Sequence, residues 1–413
     1  MADGPSRQAV MIEREIPRRH GADLATGRRM AGPLRWLIRG NPEPDGAQWR
    51  AMGESLLVGD PAMDRLLDWM HRAGMTAARR QFDVALSKGI ASVPDAPAEL
   101  RDFFTQVEAL PPWVDPAVLA EGARCCGISG LRGMDALRDM ALMAGYQAAA
   151  INKTLLLTGA LQKGAQRRVA ETTKWWIDVT RPEGVAVRAQ GWRTTLQVRL
   201  VHAMVRRHVQ RMPEWDSSYY GLPVNQFDMH ATYLSFCVTF LFGQRLLGVP
   251  LSAREGRAVM HLWRYIGWLM GVDERWLVDT EMQGRIALYQ NLLAQAPPDE
   301  SSRQLGRPLM NEPLLRHYGR FQWLRAHYDI ARHLSIERAF LGYAGMKALG
   351  LPTRILPWYP ALTVGPRLLS HLAIRALPRG REWLIDRGLR QQSAYLKVLF
   401  GPLRPDIIER LPV

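Results

Sequence analysis

His202 is the histidine whose neighbours suggest chemistry. It lies in the run Gly191-Trp192-Arg193-Thr194-Thr195-Leu196-Gln197-Val198-Arg199-Leu200-Val201-His202-Ala203-Met204-Val205-Arg206-Arg207. Read as a helix, the run puts His202 on one face with Thr195, Val198, Arg199, Val205, Arg206 and Val209. An apolar stripe edged by arginines suits a flat, apolar, anionic ligand. Carbon would meet the ring, Arg199 and Arg206 would meet carboxylates, and the imidazole would meet a metal. Upstream, Arg168 and Thr172 lie one helical turn apart and share a face, with the carboxylate of Glu171 beside them for proton transfer. On spacing alone the ordinary readings are a core histidine and an Arg168–Glu171 surface pair. His230 and His261 are the alternative imidazoles. The chain has no His-Glu-x-x-His, nucleotide-binding glycine loop or nucleophile elbow.

These residues need helices to position them. Residues 166–212 read as two helices joined at Thr180-Arg181-Pro182-Glu183-Gly184. Residues 134–161 are apolar all round, the pattern of a buried central helix. Helix starts are marked by Asp60-Pro61, Asp115-Pro116 and the capping box Ser252-x-x-Glu255. Residues 295–313 read as a long exposed loop, and the four prolines of 351–366 bar a continuous helix there. No 20–50-residue repeat is visible and strand-like alternation is scarce. The expected fold is therefore all-α: one large helical bundle, globin-like in general character, with a cofactor pocket between central helices. Residues 1–45 would be a loosely held arm and 46–366 the helical domain, with a cofactor-binding core at 111–290, bounds that rest on motif resemblance and not on the helix pattern. Residues 367–413 would be a basic amphipathic segment in which Leu368, Leu369, Leu372 and Ile374 oppose Arg367, Arg375, Arg379 and Arg381.

Charge and cysteines bound the function. With 54 basic and 39 acidic residues among 413, the net charge is +15. The excess is spread along the chain, as solvated arginine-rich helix faces would spread it, and it favours anionic surfaces. Only the charge argues for nucleic acid, so that partner is not expected. Cys125, Cys126 and Cys237 supply neither a disulfide framework nor a Cys-x-x-Cys pair, which fits a reducing compartment. The stretch after Arg28-Arg29 is broken by Pro33 and Arg35, and the apolar run 233–242 stops at Gly243-Gln244-Arg245. No secretory signal or membrane span is expected, and the location implied is cytoplasmic, peripheral to a membrane at most.

The pattern Arg168-x-x-x-Thr172, followed thirty residues later by His202 in Val-Arg-Leu-Val-His-Ala, resembles the rubber oxygenases (latex clearing proteins) and the wider oxygenase MpaB family. Pro223-Val224-Asn225-Gln226-Phe227-Asp228-Met229 and Trp263-Arg264-Tyr265-Ile266-Gly267-Trp268-Leu269-Met270-Gly271-Val272 extend the likeness over roughly 111–290. The resemblance implies a b-type haem with His202 as the iron ligand, dioxygen as co-substrate, and Arg168 and Thr172 near the dioxygen site. The substrate implied is apolar: an unsaturated lipid or isoprenoid. Asn225, Gln226 and Asp228 match the family motif and are expected to bond backbone.

Two positions depart from the family. Where rubber oxygenases carry a lysine before the matched threonine, this chain has Glu171, with Lys174 nearby. The window that holds the family's glutamate reads Ala150-Ile151-Asn152-Lys153 and has no carboxylate. Haem binding thus carries over better than polyisoprene cleavage. The rival reading is a basic helical protein that binds a membrane surface or an acidic partner without catalytic haem.

Overall fold

The computed structural model describes residues 15–159 and 164–402. Among these there is no strand. The helices that matter for function are α1 (Leu24–Arg35), α2 (Pro61–Ala73), α3 (Pro116–Ile128), α4 (Ala149–Leu157), α5 (Ala165–Thr180), α6 (Gln190–Val209), α7 (Gln226–Leu234), α8 (Ala253–Leu269), α9 (Glu281–Ala294), α10 (Glu300–Asn311), α11 (Gln322–Ala348), α12 (Trp358–Arg375) and α13 (Gly380–Phe400). Caps set several starts as the sequence implies. Asp60 accepts from the Met63 amide and Pro61 opens α2. Asp115 does the same for α3, and Ser252 and Glu255 close a reciprocal box on α8.

The unit that carries His202 is a helical hairpin. Between α5 and α6 the chain turns at Arg181–Gly184, and the Trp192 amide donates to the Gly184 carbonyl at 3.1 Å. A Cβ on Gly184 would lie 2.0 Å from the Asp178 carbonyl oxygen, and one on Gly191 would lie 2.5 Å from that of Gly184. Only glycine lets the two backbones approach this closely. Trp175 Nε1 then donates to Thr195 Oγ1 at 3.0 Å, pinning α5 to α6. Along α3 and α8, the absent side chain of Gly122 allows backbone contact, since a Cβ there would stand 2.4 Å from the Ala258 oxygen. The main core gathers Trp176, Trp192, Trp263, Phe82 and Phe104, all essentially inaccessible.

Three expectations are corrected. The apolar stretch 134–161 is not one helix. It contains a π-helical segment, Ala136–Leu142, breaks at Tyr146–Ala148 and resumes as α4; its last two residues lie outside the described ones. Asn152 Nδ2 closes the break by donating to the Tyr146 carbonyl at 2.7 Å. The arm 1–45 is tied down from residue 15 on: Arg19 is fully buried and pairs with Asp228 at 2.6 Å, and Gly27 lets α1 lie on the Leu293 backbone of α9. Residues 295–313 hold α10, which Asp299 caps and which buries Leu305 and Leu309. The proline-rich 351–366 is, as expected, not one continuous helix: it is irregular to Pro357, after which α12 begins and runs through Pro360 and Pro366.

Candidate functional site

A cavity of about 940 Å³ runs through the middle of the bundle. That is near the upper end of small-molecule and cofactor sites, ~300–1,000 Å³. Its walls come from α1, α4, α5, α6 and α11, from Ala136–Leu142 and from a second π-helical segment, Ser235–Thr239. Extra residues per turn bulge a helix locally and often mark functional sites. An aromatic cluster forms part of the wall. Phe236 stacks on Trp263 at 5.1 Å, and Trp175 meets both edge-on at 5.2 and 5.9 Å. The walls therefore reach well beyond 111–290.

His202 lines this cavity and is the one histidine that does so among the described residues. Its Nδ1 is buried without a hydrogen-bond partner. Burial, helped by the positive charge of Arg206, lowers its pKa to about 4, so the ring is neutral with a free lone pair at neutral pH. The alternatives lie elsewhere. His230 is buried beside Trp276, and His261 accepts from the Asp115 amide at 3.1 Å while meeting Trp113 edge-on.

Arg168, Glu171 and Thr172 also line the cavity. Arg168 does not pair with Glu171. It donates to Tyr146 Oη at 3.2 Å and lies over that ring at 5.7 Å, while Glu171 takes Arg167 at 2.7 Å. Arg168 is thus a cavity-wall guanidinium without an ion pair among the described residues. Tyr146 is the residue the sequence reading missed. Its accepting role toward Arg168 leaves its own proton to donate, and burial raises its pKa so that the proton stays.

Arg199 and Arg206 do something other than face a ligand. Arg199 holds Asp60 through two bonds, 2.5 and 2.9 Å, donates to the Leu269 carbonyl at 3.2 Å and lies over the Phe103 ring. Arg206 holds Asp64 at 2.7 Å and the Val224 carbonyl at 2.6 Å. Neither lines the cavity. Both are buried and committed to α2, so they lock the His202 helix in place and are not free for a ligand's carboxylates. Gly271, in the second motif, has φ +89° and sits where a Cβ would be 2.3 Å from Asp60 Oδ2. Asn225 and Gln226 bond backbone as expected, whereas the Asp228 carboxylate accepts from the side chains of Arg19 at 2.6 Å and Asn225 at 2.9 Å. Asn225 caps α7, and Gln226 bridges the Gly59 and Gly271 carbonyls at 2.7 and 2.9 Å.

Asp135, Asp139 and His333 bring ligand-type atoms within 4.8 Å of one another. Arginines already occupy this cluster. Arg332 and Arg316 approach His333 Nε2 at 3.1 and 3.3 Å, so Nδ1 carries the proton and donates to Asp139 at 2.8 Å. Arg138, which borders the cavity, binds Asp139 at 2.6 Å and Glu337 at 3.1 Å. Burial raises the pKa of both carboxyls. The network anchors the π-helical segment to α11, and its buried arginines already supply the positive charge a cation would bring.

The family model described as "ER-bound oxygenase mpaB/B'/Rubber oxygenase, catalytic domain" matches residues 133–374. A rubber oxygenase of Streptomyces sp. (strain K30) is 24% identical over 228 residues, 54% of this chain and 54% of that protein. The chain thus matches about half the length of this curated relative. A latex clearing protein solved in its closed state superposes with a TM-score of 0.63 at 19% identity, covering 85% of this chain and 92% of that one. At that identity the likeness is one of fold.

Proposed function

This chain belongs to the family of ER-bound oxygenase mpaB/B'/rubber oxygenase catalytic domains, and from that premise we propose that it is a haem-b-dependent oxygenase using dioxygen. The substrate is an apolar small molecule, an unsaturated lipid or isoprenoid. The observation that carries this reading is the neutral, partnerless imidazole of His202 on the wall of a large apolar cavity.

The residues present fit the group. His202 would hold the iron, and the aromatic and aliphatic walls would hold the macrocycle. Bound there, haem supplies dioxygen binding and the electron shifts that oxidise the substrate. The chain's own residues supply the rest. Arg168 brings a fixed positive charge that Tyr146 holds by hydrogen bond and ring contact. Tyr146 offers an O–H donor, and Thr172 a second hydroxyl on the same wall. Glu171 accepts from Arg167 through Oε1, which leaves Oε2 to take a proton. Leu137, Met140 and Phe236 exclude water and favour a hydrocarbon substrate.

The test is an absorption spectrum of the purified protein, with and without dithionite, beside His202→Ala. A Soret band in the parent that is lost in the variant is the expected result. No band in either protein after haem supplementation would overturn the haem reading. A band that survives the substitution would remove His202 as ligand.

A further inference from the structure

Helix α12 is built inside out. Its outward arc is Leu362, Gly365, Pro366, Leu369, Leu372 and Ala373, every one exposed. Leu362 is 68% exposed, Leu369 69% and Leu372 50%. A Cβ added at Gly365 would meet nothing within 4 Å. The helix contains no acidic residue, and its two arginines point the other way. Arg367 donates to the Leu247 carbonyl and to Tyr359 Oη, and Arg375 binds Glu255 at 2.9 Å. The sequence reading set the leucines against outward arginines. In the fold the arginines face the protein and the leucines face solvent. An apolar strip of this length is uncommon on a protein surface without a partner.

We propose that this face of α12 docks in plane on a lipid surface carrying anionic headgroups. The choice of occupant rests on charge. Exposed cations bracket the strip, with Arg354 before it and Arg379 and Arg387 after it. Arg387 lies over the exposed ring of Trp383 at 5.2 Å. Leucines between arginines, with a tryptophan at the boundary, match the depth profile of a bilayer interface: acyl chains in the centre, phosphates at the edge. The net charge of +15 draws the whole chain to such a surface. A second copy of this chain fits less well. Packing two strips against each other brings the arginine ends together, and α12 itself has no acidic residue to offset them; the exposed acids at that end are Glu382 and Asp386 of α13. No helix among the described residues is long and apolar enough to cross a membrane, so the association is with one leaflet. This inference rests on α12 and the exposed residues that flank it, and holds whatever chemistry the cavity performs.

The test is co-sedimentation of the full chain with phosphatidylcholine vesicles, with and without phosphatidylglycerol, beside Leu369→Glu/Leu372→Glu. Both positions are exposed, so the variant keeps the parent's circular dichroism and melting temperature. We expect the parent to pellet with the anionic vesicles and the variant's binding to fall at least about tenfold. Equal pelleting of parent and variant would overturn the proposal, as would a parent that stays in the supernatant or binds neutral vesicles equally well. A parent that sediments as a dimer, and becomes monomeric in the variant, would also overturn it and make the strip a self-association surface.

Discussion

Arg199→Met separates two roles for an arginine one turn from His202. In the structure Arg199 serves Asp60: two hydrogen bonds join them, and both side chains are buried. Burial works to raise the Asp60 pKa, and the guanidinium outweighs it, leaving the carboxyl below its ordinary value. Removing Arg199 strands that carboxylate. Breaking one side of a buried pair costs about 3–5 kcal/mol. A chain of this length has an unfolding entropy of about 0.9 kcal/mol/K, so Tm should fall by about 3–6 °C. The assay is thermal unfolding of cofactor-free protein followed by circular dichroism. Asp60→Asn keeps the cap on α2 while removing the charge. Added to Arg199→Met, it should cost much less than its loss alone, because the partner is already gone. A shift under about 1 °C, accompanied by weaker haem binding, would refute the reasoning and return Arg199 to the ligand.

Two further outcomes follow from the geometry. Gly184→Ala and Gly191→Ala should each destabilise by about 1–3 kcal/mol in urea unfolding, because each Cβ meets backbone. Gly46→Ala, in open space at the start of the helix Gly46–Ser55, should be neutral or stabilise by up to about 1 kcal/mol; equal effects at all three sites would contradict this account. Stability should also fall as pH drops from 6.5 to 4. Burial lowers the pKa of His202 and His230 to about 4, so between those values the unfolded chain binds protons that the folded chain refuses. Each ring contributes up to about 3 kcal/mol that is present above pH 6.5 and lost by pH 4. Urea midpoints that stay flat from neutral pH to pH 4.5 would contradict it.

Local grammar was readable from the residues. Asp60-Pro61, Ser252 with Glu255, and the turn at 180–184 each act through neighbours a few positions away, and all three behave as their types require. His202 was found by its apolar helix face together with a motif. The misreadings share one cause: a partner distant in sequence. Arg199 looked like a ligand-binding edge because Asp60 lies 139 residues upstream. Arg19 looked like part of a loose arm because Asp228 is 209 residues downstream. Tyr146 carried no signal at all, since its meaning comes from Arg168 across a helix break. In α10 the polar composition hid a pair of leucines four apart under an Asp299 cap. In α12 the spacing separated Leu369 and Leu372 from Arg367 and Arg375, but it grouped with those leucines Ile374, which packs inward, and only Glu255 and Leu247 decide which side turns to the protein.

The paired π-helical segments carry an evolutionary consequence. Each wide turn behaves like a single-residue insertion absorbed in place, with the helix on either side left in its own register. Losing one residue there would rotate the following side chains by about 100° and re-aim them. Both segments, Ala136–Leu142 and Ser235–Thr239, face the same chamber and pack on one another. Codon gains and losses, more than substitutions, are then the steps by which descendants of this scaffold would change the shape of what they admit.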